Sequence, residues 1–308
     1  MSTICKIPTV ALEVPLARML NSPFKWVGGK SRLRKQIISI LPPHTCYVEP
    51  FGVAAWVLLG KERSEVEVLN DIDQELINFF RVVKNKPEEF IASFDLALVS
   101  RAEFERLAEL NVSTATEIER AHRFYYLIMA GWGGELDYPR FQTSITDGGH
   151  GNRLIGALKT LRERIEPVHA RLRTVIIENL EWEKCIERYD RDGAVMYVDP
   201  PYPGNGCNYL HNMRSWDDHA RLAKRLHASR SLWIYSSYDT PEVHALFPAR
   251  DHYIASVRSA SGMIAKKNGS TRVQNREVLI MNFDPDQVRK VCATGRRQRS
   301  SATQESLL

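Results

Sequence analysis

Strand-like and helix-like runs alternate over residues 28–85 of this 308-residue chain, and no other feature constrains its fold as much. "GGKSRLRKQIISILP" (28–42) places Leu33, Ile37, Ile38 and Leu41 on one face of a helix. "CYVEP" (46–50) is a short apolar strand stopped by Pro50. "AAWVLLGK" (54–61) reads as a buried helix, and "EVEVLNDID" (65–73) as a strand running into an acidic loop. "QELINFFRVVKN" (74–85) is a helix with Leu76, Phe79, Phe80 and Val83 on one side. Parallel strands need a crossover between them, usually a helix, so this order predicts an α/β fold with a parallel sheet.

The alternation lapses after residue 86. "PEEFIASFDLALVSRAEFERLAELN", "EIERAHRFYYLIMAGWG" and "RLIGALKTLRERIEPVHARL" are helical, with the polar, glycine-rich "GELDYPRFQTSITDGGHGN" before the last of them. Strand-like runs return at 173–179, 194–200, 231–239, 252–258 and 276–283. The expected organisation is one α/β domain over 21–86 and 173–288, interrupted by a mainly helical insertion at 87–172. A flexible leader (1–20) and a basic, disordered tail (289–308) flank it.

Composition narrows the class of protein. Hydrophobic residues make up 44% and charged residues 26%, as in an ordinary globular protein. No apolar run is long enough for a membrane span, and no basic start leads into an apolar signal core. The five cysteines are odd in number and scattered, without a CxxC pair, so neither a disulfide framework nor a zinc site is expected. A reducing, cytoplasmic setting fits them. The net charge of +5 permits a polyanionic partner without requiring one.

Ligands of open parallel sheets bind beyond the carboxyl ends of the strands. Three such ends carry polar residues here. Glu49-Pro50-Phe51-Gly52 follows the first strand and leads into a helix. Asp71 follows Gly52 by about 20 residues, the spacing at which an acid grips a ribose diol. "YVDPPYPG" (197–204) ends the fourth strand on Asp199-Pro200-Pro201-Tyr202. Each end has a plain alternative. Glu49 reads equally as a solvated acid, Asp71 or Asp73 as the N-cap of the following helix, and the prolines as a turn. Three together favour a ligand containing a nucleoside.

These segments carry a resemblance. "PFKWVGGKSRL" (23–33), "YVEPFGVAAWVLL" (47–59), "LNDIDQELINFFRVVK" (69–84), "YVDPPYPG" and "NREVLIMNF" (275–283) resemble the Dam-type family of DNA adenine-N6 methyltransferases, in the family's order. The resemblance implies a Rossmann-like methyltransferase sheet with an inserted target-recognition domain. It implies S-adenosyl-L-methionine as cofactor and double-stranded DNA as partner, with no metal. By the same resemblance Trp26 and Lys30 contact the cofactor, Glu49, Phe51 and Gly52 form its loop, Asp71 grips its ribose, and Asp199 borders it. Asp199, Pro200 and Tyr202 are the catalytic residues so implied. The chain departs from the family's glycine-rich pattern at "FGVAAW", where Val53 either narrows the cofactor site or packs beneath it.

The chemistry suits the motif. An adenine amino group is a poor nucleophile because its lone pair is delocalised into the ring. A carboxylate (Asp199) and a carbonyl (Pro200) accepting its two hydrogens would draw it toward a tetrahedral form, and the prolines fix that geometry in advance. Tyr202 is suited to stack on a base swung out of the duplex. Direct transfer requires no covalent intermediate. For DNA contact, Arg140 and Arg153 are candidates in a stretch that interleaves basic and aromatic residues, against a reading as structural arginines. The basic segment 258–276 reads as a loop over phosphates or as a solvated one. His211 and the Asp-Asp-His at 217–219 are read as the surroundings of a helix start, not metal ligands. The expected function is site-specific N6 methylation of adenine in DNA. The alternatives are an RNA or cytosine-N4 amino-methyltransferase, or an inactive DNA-binding relative.

Overall fold

The computed structural model describes residues 19–24, 26, 29–131, 139–142, 152–202, 213, 215–260 and 274–287. The expected leader (except 19 and 20), the tail, the middle of 258–276, His211 and Cys207 lie outside them. All seven expected strands form: β1 (Cys46–Glu49), β2 (Val66–Asn70), β3 (Val175–Glu178), β4 (Ala194–Val198), β5 (Leu232–Tyr238), β6 (Tyr253–Ala260) and β7 (Gln274–Met281). They make one sheet in the order β3-β2-β1-β4-β5-β7-β6, with β7 antiparallel to β5 and β6. This is a Rossmann-like methyltransferase sheet. The strand order reverses between β1 and β4, which opens a crevice at their carboxyl ends.

The helices of the first half are α1 (Arg34–Ser39), α2 (Trp56–Gly60) and α3 (Gln74–Asn85). Asp73 is the N-cap of α3, accepting from the backbone N–H of Glu75 and Leu76. The segment 87–172 holds α4 (Pro87–Ala92), α5 (Arg101–Ala108), α6 (Glu117–Ala130), α7 (Arg153–Leu158) and α8 (Leu161–Leu172). Two of the expected long helices are therefore broken. Ser100 starts α5 by accepting from Glu103 N–H, and a turn at Lys159 and Thr160 separates α7 from α8. The second half adds α9 (Trp182–Tyr189), α10 (Trp216–His227) and α11 (Pro241–Leu246). No helix among the described residues is long and apolar enough to cross a membrane.

The sheet is covered on both faces, which is why β4 reads as an unbroken apolar run. Its residues alternate. Val195 and Tyr197 join the core built with α1, α2, α3, α6 and α8, while Ala194, Met196 and Val198 join the core built with α9 and α10. Phe79, Phe80, Phe90, Phe124 and Tyr125 are fully buried in the first core, each contributing roughly 1.5–3 kcal/mol of apolar burial. Helices α6 and α8 pack on α3, so segment 87–172 shares its core with the sheet.

Candidate active site at the carboxyl edge of the sheet

Four strands deliver side chains to one edge. β4 ends at Asp199, which is nearly buried. Its Oδ1 lies 3.0 Å from Lys30 Nζ and accepts the Tyr202 hydroxyl at 3.0 Å. That hydroxyl also meets Ser236 Oγ of β5 at 2.7 Å. Lys30 Nζ stands 4.7 Å over the Tyr202 ring, and Tyr238 of β5 packs edge-on against the same ring at 4.7 Å. Lys30 of the first motif and Asp199 and Tyr202 of the fourth thus converge with Ser236 and Tyr238 of β5 on one cluster.

Glu277 completes it: its segment, 275–283, carries the resemblance, but no role follows for it from the sequence, because it lies near the start of β7 and not at a strand's carboxyl end. Because β7 runs antiparallel and pairs Glu277 with Tyr238, its start reaches the edge where β4 and β5 end. Glu277 Oε2 lies 3.5 Å from Lys30 Nζ. Burial works against the charge on Lys30, yet Asp199 and Glu277 hold its pKa above the usual lysine value. Burial raises the Asp199 carboxyl above the usual aspartate value; Lys30 pulls it back and Glu277 pushes it up. Burial also lifts the Tyr202 phenol well above its normal range, so it remains a donor.

A second group surrounds the loop after β1. Gly52 N–H donates to the Asn70 carbonyl at 2.7 Å, so the loop lies directly on the end of β2. A Cβ on Gly52 would stand 2.6 Å from Leu69 Cδ1 and 2.9 Å from the Asn70 carbonyl oxygen, which explains the glycine. Asp71 Oδ2 accepts from Val53 N–H and its Oδ1 from Asp73 N–H. Glu49 is buried; its Oε1 accepts from the Tyr47 hydroxyl and from Leu58 N–H, both at 2.8 Å. Burial pushes the Glu49 carboxyl up to about 8 against those two donors. Asn70 fastens this corner, bonding the Pro50 carbonyl and both backbone groups of Leu180 within reach.

The remaining expected residues are dispersed. Trp26 stacks on Phe124 of α6 at 5.8 Å, and Phe51 lies against Trp182 on the other side of the sheet. Arg140 is exposed. Arg153 is half-buried; it donates to Gln142 Oε1 and to the carbonyls of Ile128 and Gly131, joining the end of α6 to α7. His219 belongs to α10 as expected, but it is buried and reaches the active loop. Its Nε2 donates to the Pro201 carbonyl at 3.1 Å, and its Nδ1 accepts from the Tyr235 hydroxyl at 2.9 Å. Among the described residues no group of three or more His, Cys, Asp or Glu could hold a metal ion.

A Rossmann-like sheet with a buried Asp-Pro-Pro-Tyr end at its switch point defines an amino-methyltransferase. The family description "D12 class N6 adenine-specific DNA methyltransferase" matches residues 26–254, and the chain belongs to that family. It is 26% identical to the type II methyltransferase M1.LlaDCHI of Lactococcus lactis subsp. cremoris, over 85% of this chain and 95% of that protein. It is 26% identical to the retron Ec67 DNA adenine methylase of Escherichia coli, over 82% of this chain and 90% of that one. It is 27% identical to a DNA adenine methylase of Salmonella typhi, over 83% and 93%.

Proposed function

We propose that this DNA adenine methyltransferase works on a base turned out of the duplex, with Asp199 and the Pro200 carbonyl accepting the two amino hydrogens. The observation that carries this reading is the Asp199 carboxylate, nearly buried at a strand end, with Lys30 and Tyr202 both on Oδ1. In this reading the other carboxylate oxygen, Oδ2, accepts one amino hydrogen of the substrate. Two successive prolines hold the Pro200 carbonyl in place before the base arrives. Tyr202 and Tyr238 form an aromatic wall for the base.

The residues fit S-adenosyl-L-methionine, which supplies an electrophilic methyl group on a sulfonium. Asp199 and Glu277 outnumber Lys30 in the cluster, so the edge carries the charge a sulfonium prefers. Asp71 lies at the end of β2, where a ribose diol would be held, beside the Glu49–Gly52 loop; in this reading Lys30, Glu49, Phe51 and Gly52 line the cofactor from the strand ends, and Trp26 lies further off against Phe124. The segment 87–172 supplies target recognition in this reading. Arg140, exposed, is its DNA-facing residue, while Arg153 supports the backbone beside it.

The test is expression in cells lacking adenine methylation, with N6-methyladenine read across the genome by single-molecule sequencing. Methylation at one short motif, absent from an Asp199→Ala control, is expected. Soluble, folded protein that leaves every adenine unmodified overturns the reading.

A further inference from the structure

We propose that Glu277 is a positioning residue for methyl transfer: it shares the Lys30 ammonium with Asp199, so that the Asp199 carboxylate stays available to the substrate amino group. The inference rests on the reading of Asp199 given above. Nothing in the Asp-Pro-Pro-Tyr motif itself points to it.

The geometry is a buried triad. Lys30 Nζ sits between Asp199 Oδ1 at 3.0 Å and Glu277 Oε2 at 3.5 Å, and all three side chains are at most one-tenth exposed. A lysine paired with Asp199 alone would neutralise it and compete with the substrate for its oxygens. Glu277 offsets that. Its contact with Lys30 is the longer of the two, so Glu277 acts on the ammonium through charge across a dry gap while Asp199 holds it closely. The charged and titratable groups around Glu277 are Lys30, Asp199, Tyr197 and Tyr202, with Glu49 acting on Asp199 from β1. Lys30 is the cation among these described residues.

The reaction explains the need. As the amino nitrogen attacks the methyl carbon, an N–C bond forms and the C–S bond breaks, its electron pair staying on sulfur. The product nitrogen then holds one proton too many. That proton passes along the hydrogen bond to Asp199 and from there to solvent. An aspartate wholly committed to a buried lysine is a poor acceptor, and Glu277 keeps it a better one.

The test compares wild type with Glu277→Gln, which keeps the shape and removes the charge. Losing the negative neighbour lowers the Asp199 pKa. The acid limb of kcat against pH is therefore expected to move down by about one unit, and kcat at its plateau to fall roughly tenfold. S-adenosylmethionine affinity by calorimetry is expected to stay within about threefold. A carbon-13 titration of the Asp199 carboxyl, assigned by its loss in Asp199→Asn, reads the same shift without activity. It therefore separates failure of this inference from failure of the functional reading. An unmoved Asp199 titration, or an effect confined to cofactor affinity or melting temperature, overturns the proposal. If Glu277→Gln does not fold, Glu277→Asp decides. The displaced charge is expected to move the Asp199 titration in the same direction by less, and an unmoved titration rejects the idea.

Discussion

His219 shows how much of the site depends on residues that never meet substrate. It joins α10 to the Pro201 carbonyl and to Tyr235 of β5, using each ring nitrogen once. Burial depresses its pKa, so the ring is neutral, and its partners assign the tautomer. Replacing it with alanine takes a partner from the half-buried Pro201 carbonyl and one from the buried Tyr235 phenol, at about 1–3 kcal/mol in all. His219→Ala is expected to lower single-turnover methylation roughly tenfold, with DNA affinity retained. An unchanged rate would show that the prolines alone fix the loop. The sequence disclosed Asp199, Tyr202 and Lys30 because they lie in dense motifs beside a strand end. The parts played by Glu277 and His219 were hidden, because one is placed by an antiparallel pairing and the other by packing of α10 on the loop after β4. Neither relation leaves a local pattern. Arg153 read equally as a DNA contact or as a structural arginine, and its inward bonds to the carbonyls at the end of α6 are of the second kind.

The loop after β1 raises the same question at the scale of an element. Its "FGVAAW" has a single glycine, yet the backbone takes a glycine-like path at two other residues: Val53 has φ 44° and Ala55 φ 52°. Left-handed φ costs an ordinary residue about 1–2 kcal/mol. Ala55→Gly removes that cost and loses little packing, against about 0.5–1 kcal/mol of extra backbone entropy. A gain of about 0.5 kcal/mol is expected, a melting shift of roughly 1–2 °C by calorimetry. Gly52→Ala is expected to go the other way by about 1–3 kcal/mol, because its Cβ meets Leu69 and the Asn70 carbonyl. Strands and helices were otherwise plain in the sequence, since β4 is apolar on both faces and α3 carries its cap and its stripe. Strand ends in the hairpin were not. β6 runs on to Ala260 and β7 begins at Gln274 because the antiparallel ladder continues to that pair, through residues that read as loop.

Two groups away from the site contribute to how the whole molecule responds to acid. His122 of α6 is half-buried and stacked on Phe94 at 4.0 Å, and its partial burial lowers its pKa to about 4. An unfolded histidine binds a proton near pH 6.5, so the unfolded state gains protons first and stability falls as pH drops from about 6.5 toward 4. The loss is on the order of 2–3 kcal/mol, and His122→Phe is expected to flatten it in denaturant titrations at pH 7 and 4.5. Glu67 acts lower. Burial alone would raise its carboxyl, but Arg171 and Lys61 hold it below the usual value. Its contribution is present above the unfolded pKa of about 4.3 and is lost as pH falls through the folded one. This triad also fastens helix α8 to the sheet. Arg171 pairs with both Glu67 oxygens and donates to the Leu58 carbonyl, while Lys61 Nζ meets Glu67 at 2.6 Å. Buried ion pairs give little net stability, but breaking one strands a charge. Arg171→Met is therefore expected to cost about 3–5 kcal/mol at neutral pH. Combining it with Glu67→Leu and Lys61→Met is expected to recover most of that loss. Equal destabilisation in the single and triple variants, by urea midpoint, would show that Arg171 acts through its bond to Leu58 and not through charge.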